Sequence, residues 1–246
     1  MSSVLVLSGG SPHAHDFDAI RPALVEVVRA GDHTVQFADH PARAAELLGS
    51  ERFDALVVHG LWWRMLDPAY EPWRADHAYE TPPEVATTLA DFVADGGGLV
   101  ALHTAPVCFD DWPLWGDVLG ASWHWGVSGH PPYGPVEATI VSDHPVVAGL
   151  GPTIALDDEI YGSMDMRQVD VLATARRSPD DEDQPVIWTH RFGDGRVVFD
   201  GFGHNAASIH HPQNAQVIQQ AVAWVTAERP TRRAPTPRAP TLRAER

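Results

Sequence analysis

The chain has 246 residues, of which 44% are hydrophobic, and its formal net charge is −16 at pH 7. This length and apolar content suffice for a globular domain with a sizeable core, and no apolar run approaches the roughly 18 residues that suggest a membrane-spanning helix. All 17 basic residues are arginines, so Schiff-base catalysis by lysine and a P-loop lysine are excluded. The single cysteine, Cys108, excludes an internal disulfide and favours a cytoplasmic location.

The charge is unevenly distributed along the chain. Six arginines lie in the last 18 residues, "RPTRRAPTPRAPTLRAER", whereas residues 1–228 contain 11 arginines and 32 acidic residues. So acidic a body predicts no binding to nucleic acid or to anionic membranes. The tail has many prolines and almost no large apolar residues, so residues 229–246 are expected to be disordered and residues 1–228 to form one domain. The N-terminus lacks the basic segment of a signal peptide.

The first half of the sequence alternates apolar strands with amphipathic helices. The predicted elements are, in order, strand "VLVLSGG", helix "FDAIRPALVEVVRAG", strand "HTVQFA", helix "ARAAELL", strand "FDALVVHG", helix "PPEVATTLADFVADGGG" and strand "LVAL". Most of these strands are apolar throughout, which is typical of strands buried on both faces. The order predicts a doubly wound, parallel α/β sheet.

After about residue 120 the pattern changes to strands linked by turns. The segments "VEATIV", "VLATA" and "PVIWTHRFGDGRVVFDGF" predict strands, and the Gly193-Asp194-Gly195 tract indicates a hairpin. A last helix, "NAQVIQQAVAWVTAE", closes the domain. The predicted fold is therefore a three-layer α/β sandwich whose mainly parallel sheet carries an added antiparallel portion.

Polar and aromatic residues follow several of the predicted parallel strands. His13 and Asp16 come after the first strand, Trp62 after the third, and His103 directly after the fourth. Ligands of open parallel sheets bind beyond the carboxyl ends of the strands. These residues are therefore candidates for one site, although a single histidine is more often a structural residue.

Three later motifs add further candidates. His130 precedes two prolines that would hold its loop rigid, Glu159 and Tyr161 lie in "LDDEIY", and His204 lies in "FDGFGHN". A carboxylate beside a histidine can orient the ring or act as a general base. The alternative for each is ordinary packing in a loop or at a strand edge. The G-x-G-x-x-A match at residues 201–206 has no following βαβ unit, so no dinucleotide cofactor is expected.

A metal site is a weaker expectation. His13, His15 and His130 are the candidate ligands, since divalent ions such as zinc bind imidazole and carboxylate groups. The sequence contains no H-E-x-x-H signature, and scattered histidines would have to converge in the fold.

The ordered motifs resemble the ThuA-like, trehalose-utilisation family. The carriers are "LVLSGG", "GGGLVALHTA", "LGASWHWGVSGHPPYGPVEATIVSDHPVVAGL", "LDDEIY", "QPVIWTHRFGDGRVVFDGFGHN" and the closing helix, which together span about residues 3–227. The resemblance implies the flavodoxin-like fold of class I glutamine amidotransferases. In those enzymes the strand matching "LVAL" runs into an elbow that carries a nucleophilic cysteine. Here His103 stands at the elbow and Cys108 follows five residues later, so thioester-based glutamine hydrolysis is not expected.

The nine tryptophans and the family resemblance both suggest a sugar ligand. We therefore predict an enzyme that acts on a sugar or keto-sugar derivative by isomerisation, elimination or hydrolysis. His103 is the expected acid or base, with Glu159 and His204 as its partners. The expected substrate-binding residues are His13, Asp16, Trp62, His130 and Tyr161. The alternatives are a non-catalytic sugar-binding module and a metal-dependent hydrolase, and a homo-oligomer is compatible with the sequence.

Overall fold

The computed structural model describes residues 1–178 and 180–227, so the expected disordered tail at 229–246 lies outside the described residues. The strands are β1 (Ser3–Gly10), β2 (Thr34–Ala38), β3 (Ala55–Leu61), β4 (Gly98–Leu102), β5 (Ala121–Ser122), β6 (Gly134–Ile140), β7 (Thr153–Asp158), β8 (Asp165–Met166), β9 (Asp170–Ala175), β10 (Gln184–Phe192) and β11 (Gly195–Asp200). The α-helices are α1 (Phe17–Ala30), α2 (Pro41–Ser50), α3 (Glu71–His77), α4 (Pro83–Ala94), α5 (Leu114–Leu119), α6 (Ala206–His210) and α7 (Pro212–Thr226).

Nine strands form one sheet in the order β2-β1-β3-β4-β11-β10-β9-β6-β7. The first five are parallel to one another, and the last four add in antiparallel fashion. This confirms the predicted mainly parallel sheet with an antiparallel extension. Strands β3 and β4 are buried along their whole length, as their unbroken apolar sequences predicted.

The sheet separates two hydrophobic cores, which makes the fold a three-layer sandwich. Val4 and Val6 of β1 face the core that contains α1 and α7. Leu5 and Leu7 face the core that contains α2, α4 and α5. Successive side chains of a strand point to opposite faces, so an apolar strand supplies both cores at once.

The strand directions gather several chain segments at one edge of the sheet. The parallel strands β1, β3, β4 and β11 all end there. Strand β7 is separated from β11 by three intervening strands, and the four antiparallel pairings in succession return it to the direction of β11. Its last residue, Asp158, therefore reaches the same edge, and so does the loop that follows it.

The helices are short relative to a lipid bilayer. Within the described part of the chain, no helix combines the length and the apolar character needed to cross a bilayer.

Candidate active site

A cavity of about 100 Å³ opens at this edge of the sheet. Its lining consists of His13, Ala14, His15, Leu61, Trp63, Tyr70, Val107, Trp123, Trp125, His130, Glu159, Tyr161 and His204. The walls are mostly aromatic, and the polar groups are imidazoles and one carboxylate.

Glu159 is the centre of the polar groups. Its Oε2 atom lies 3.2 Å from Nδ1 of His204 and 3.6 Å from Nε2 of His103. Its Oε1 atom lies 3.4 Å from Nδ1 of His130. The structure therefore brings together the three residues predicted to form the catalytic group, and it adds His130.

His103 occupies a strained turn at the end of β4. Its φ angle is 41°, in the left-handed region that side chains other than glycine rarely adopt. Its backbone N–H donates to the carbonyl of Asp200 on the neighbouring strand, and its ring Nδ1–H donates to the carbonyl of Gly201. The predicted elbow is thus present.

The side chain of His103 lies deeper in the protein than a residue that contacts a substrate directly. Its side chain is fully buried and is not part of the cavity lining, because the rings of His15 and His204 and the Glu159 carboxylate pack over it. His103 therefore reaches a ligand only through Glu159 or its neighbours. The groups that face the cavity are Glu159, His204 and His130.

Asp158 fixes the backbone that carries this site. Its buried carboxylate accepts from the N–H of Glu159 at 2.7 Å and from the N–H of Gly203 at 2.8 Å. The first bond orients the segment after β7, and the second orients the turn after β11 that presents His204. Gly203 has a φ of 125°, which explains the glycine in that turn.

The pKa values of the clustered groups shift in different directions. Burial raises the pKa of Glu159, but the neighbouring His103 and His204 outweigh it and hold that pKa well below its usual range. Burial lowers the pKa of His103, but Glu159 and Asp158 raise it to a net value above normal. Burial and the neighbouring His103 lower the pKa of His15 strongly, so this ring is neutral. Glu159 is thus ionised at neutral pH.

Three of the predicted substrate-binding residues line the cavity. His13 stacks on Trp73, with ring centroids 4.9 Å apart, and its Nδ1 atom lies 2.8 Å from the hydroxyl of Ser11. Tyr161 packs against the His103 ring at 4.7 Å, and burial raises its pKa well above normal, so its hydroxyl stays protonated. His130 is the third.

Two predicted substrate-binding residues, Trp62 and Asp16, do not line the cavity, so the structure corrects those two predictions. Trp62 is buried in the opposite core, stacked on Phe109, because adjacent residues of an extended chain point to opposite faces; its neighbour Trp63 lines the cavity instead. Asp16 is exposed and caps α1, accepting from the N–H of Ala19 at 3.1 Å. Short polar side chains before a helix commonly do this.

One group of side chains has the composition of a metal site. His15, His103, Glu159 and His204 each offer a ligand atom, and these four atoms lie within 4.8 Å of one another. Of the metal candidates expected from the sequence, only His15 belongs to this group. His13 faces Trp73, and His130 lies on the other oxygen of Glu159.

The sequence did not single out several residues that the structure brings into the site. Tyr70 comes from the segment before α3, and Asp158 holds the backbone from below. The signal for Asp158 was present in "LDDEIY", where it precedes Glu159 at the end of a strand. No local pattern indicates Tyr70, whose ring reaches the cavity through tertiary contacts with His13 and Trp63.

The environment of Cys108 indicates that its thiol is not a reactive nucleophile. Cys108 is buried, its thiol donates to the carbonyl of Gly60 at 2.7 Å, and burial raises its pKa to about 12. The native protein is therefore expected to resist a thiol reagent at pH 8, whereas the urea-unfolded protein reacts with one equivalent. Cys108→Ser is expected to leave activity within a few fold. Rapid labelling of the native protein would contradict this interpretation.

Fold and site together define a class of protein. The fold is a three-layer α/β sandwich with a mainly parallel sheet, and a buried histidine in a strained turn ends β4 beside the cavity. The model of the family ThuA, described as trehalose utilisation, matches residues 3–225, and the chain belongs to this family. No curated protein matches the chain at a significant level.

Solved structures share the fold. A ThuA-like protein from Parabacteroides merdae is 18% identical with a TM-score of 0.73, and the match covers 95% of this chain and 93% of that one. A GMP synthase component from Thermoplasma acidophilum is 14% identical with a TM-score of 0.57, covering 92% and 94%. A β-galactosidase from Bacillus circulans is 14% identical with a TM-score of 0.51; 92% of this chain matches 30% of that one.

Proposed function

We propose that this protein is an enzyme that acts on a sugar or keto-sugar derivative bound in the cavity, with proton transfer by Glu159 and its histidine neighbours. One observation carries the proposal: an ionised carboxylate at the floor of an aromatic cavity is in contact with three imidazoles. Strongly shifted pKa values in a cleft are typical of catalytic groups.

The geometry suits the removal and return of a proton. We assign the base to Glu159, because its carboxylate lines the cavity with one oxygen beside His130 and the other beside His204. His204 and His130 contact different oxygens of the carboxylate and both line the cavity, so either ring is placed to exchange a proton with Glu159 or with a bound substrate. Such a pair serves isomerisation, elimination and hydrolysis alike. His103 is a positioning residue that acts through Glu159.

The walls of the cavity support a sugar as the substrate class. Trp63, Trp123 and Trp125 present aromatic faces or edges to the same space as the polar groups. The C–H faces of a sugar stack on aromatic rings, while its hydroxyls bond to imidazole, carboxylate and phenol groups. The acidic body of the chain favours a neutral substrate over a polyanion.

The comparisons support the same class of substrate. The family is described by trehalose utilisation, and the fold recurs within β-galactosidases from Bacillus circulans and from a Rahnella strain. The cytoplasmic location stays a prediction from the single cysteine.

The test is a ligand screen followed by a turnover assay. Purified protein is heated with single sugars, disaccharides and keto-sugars, and compounds that raise the Tm are incubated with the enzyme and followed by proton NMR. We expect at least one keto-sugar or glycoside both to raise the Tm and to be converted. Binding without conversion would favour a sugar-binding module, and stabilisation by no sugar would overturn the substrate class.

A further inference from the structure

We infer that His15, His103, Glu159 and His204 form a binding site for a divalent transition-metal ion, with zinc as the ion that fits best. This inference concerns the site of the proposed function and adds a cofactor to it. Oε2 of Glu159 would bind the ion, and Oε1, which lies beside His130, would remain for proton transfer. Metal binding is measured without any substrate, so the two ideas can fail separately.

The spacing of the four ligand atoms carries the first part of the argument. In a tetrahedral zinc site with bonds of about 2.0–2.1 Å, neighbouring ligand atoms are about 3.3 Å apart. Oε2 of Glu159 lies 3.2 Å from Nδ1 of His204 and 3.6 Å from Nε2 of His103. All separations in the group, including those to His15, are within 4.8 Å.

The ring nitrogens that point into the cluster carry the second part. Both ring nitrogens of His15 are buried without a hydrogen-bond partner among the described residues. Nε2 of His103 and Nδ1 of His204 face only the Glu159 carboxylate, in ion-pair contact without good hydrogen-bond geometry. The side chain of His103 is fully buried, and His15 is only 5% exposed. Buried polar atoms normally have partners. A cation at the centre of the cluster would provide one for each histidine.

The surroundings prepare the ligands in the way known for metal sites. The carbonyl of Gly201 can only accept, so Nδ1 of His103 carries the proton and donates at 2.9 Å. This leaves the lone pair of Nε2 directed toward the cluster. A histidine ligand held through its other nitrogen by a carbonyl is a common arrangement around bound metals. Asp158 holds the backbone at Glu159 and Gly203.

The donor set selects the type of ion. Three imidazole nitrogens and one carboxylate oxygen suit zinc and its first-row neighbours, whereas magnesium and calcium prefer oxygen ligands. His15, Glu159 and His204 also line the cavity. An ion held there would face the space in which a substrate binds, with His103 as the ligand from below. His130 remains outside the set as a proton donor.

Metal binding is tested on the full-length protein. The protein is stripped with a chelator, loaded with Zn²⁺, passed through a desalting column and analysed for metal content. Affinity is then measured by competition with a colorimetric zinc chelator, and Co²⁺ loading is followed by visible absorption. We expect one equivalent of tightly bound zinc, a visible Co²⁺ spectrum and a raised Tm on loading.

Variants assign the site to these residues. His204→Ala and Glu159→Gln are each expected to weaken zinc binding by at least about 100-fold, since the loss of even an outer contact can cost 10–100-fold. His13→Ala is the matched control, because His13 lines the same cavity outside the ligand group, and it should bind zinc like the wild type. Because the His204 side chain is partly exposed, we expect His204→Ala to fold like the wild type.

Two results would overturn the inference. One is less than a tenth of an equivalent of zinc retained by the wild type after loading. The other is equal zinc affinity in wild type, His204→Ala and Glu159→Gln, which would place the bound metal on other histidines. Sugar conversion by the metal-stripped protein would leave the proposed function standing and show that the ion does not take part in it.

Discussion

Glu159→Gln is expected to reduce turnover of the converted sugar derivative by about 10²–10⁴-fold, the range that one general acid or base contributes. The amide has the same shape but neither the charge nor the basicity of the carboxylate that contacts His103, His130 and His204. The measurement is kcat and kcat/KM by NMR on the substrate found in the screen, with zinc content recorded for every sample.

The matched control is Glu137→Gln, since Glu137 is an exposed carboxylate on β6 away from the cavity. The double variant Glu159→Gln/His204→Ala should be little slower than Glu159→Gln alone, because residues that act as a unit are not additive. A Glu159→Gln enzyme with wild-type kcat would refute the assignment of the base. Independent, multiplying effects in the double variant would show that the two groups do not work together.

Asp200 is expected to make the protein lose stability as the pH rises from about 4 to about 8. Its carboxyl is fully buried, and Oδ2 has no hydrogen-bond partner among the described residues. Burial raises its pKa from 3.8 to about 8, opposed by the N–H of Phe202 and assisted by the nearby Asp158. In this window the folded protein holds a proton that the unfolded chain has released. The free energy of unfolding must therefore fall with rising pH.

The measurement is urea unfolding of the wild type and of Asp200→Asn at pH 5 and at pH 8. Asparagine keeps an oxygen for the Phe202 N–H and removes the titration. The wild type should lose up to about 1.4 kcal/mol per pH unit relative to the variant, which amounts to a few kcal/mol across the window. Subtracting the variant cancels the contributions of other titrating groups. A difference that is the same at both pH values would contradict the buried, protonated state of Asp200.

Much of the fold could be predicted because its signals are local. A short run such as Leu99–Leu102, apolar at every position and preceded by glycines, is typical of a strand buried on both faces. The helical spacing of Phe17, Ile20 and Leu24 indicates one buried helix face. Both patterns are confirmed. The tight Gly193-Asp194-Gly195 turn likewise joins the antiparallel pair β10 and β11.

The site was less predictable, and the reason differs from residue to residue. His103 could be placed at a strand end from its sequence position, but its depth depends on the rings that cover it. The choice between Trp62 and Trp63 depends on which way the chain turns after β3. Asp16 could have been recognised as a helix cap, since it immediately precedes the helical pattern.

The sequence by itself determined the class of this protein, through the strand and helix order and the ordered family motifs, and it singled out His103, Glu159 and His204 as candidates. The strand and helix order follows from local periodicity and turn chemistry, whereas the choice of Glu159 and His204 followed from the family resemblance. Only the tertiary structure decided that His15 joins His103, Glu159 and His204 within 4.8 Å, and that Asp158 fastens two of their loops. These residues come from four separate stretches of the chain, near its beginning, its middle and its end. Their meeting depends on the direction of β7 in the sheet, and strand direction is set by pairings that no local stretch of sequence contains.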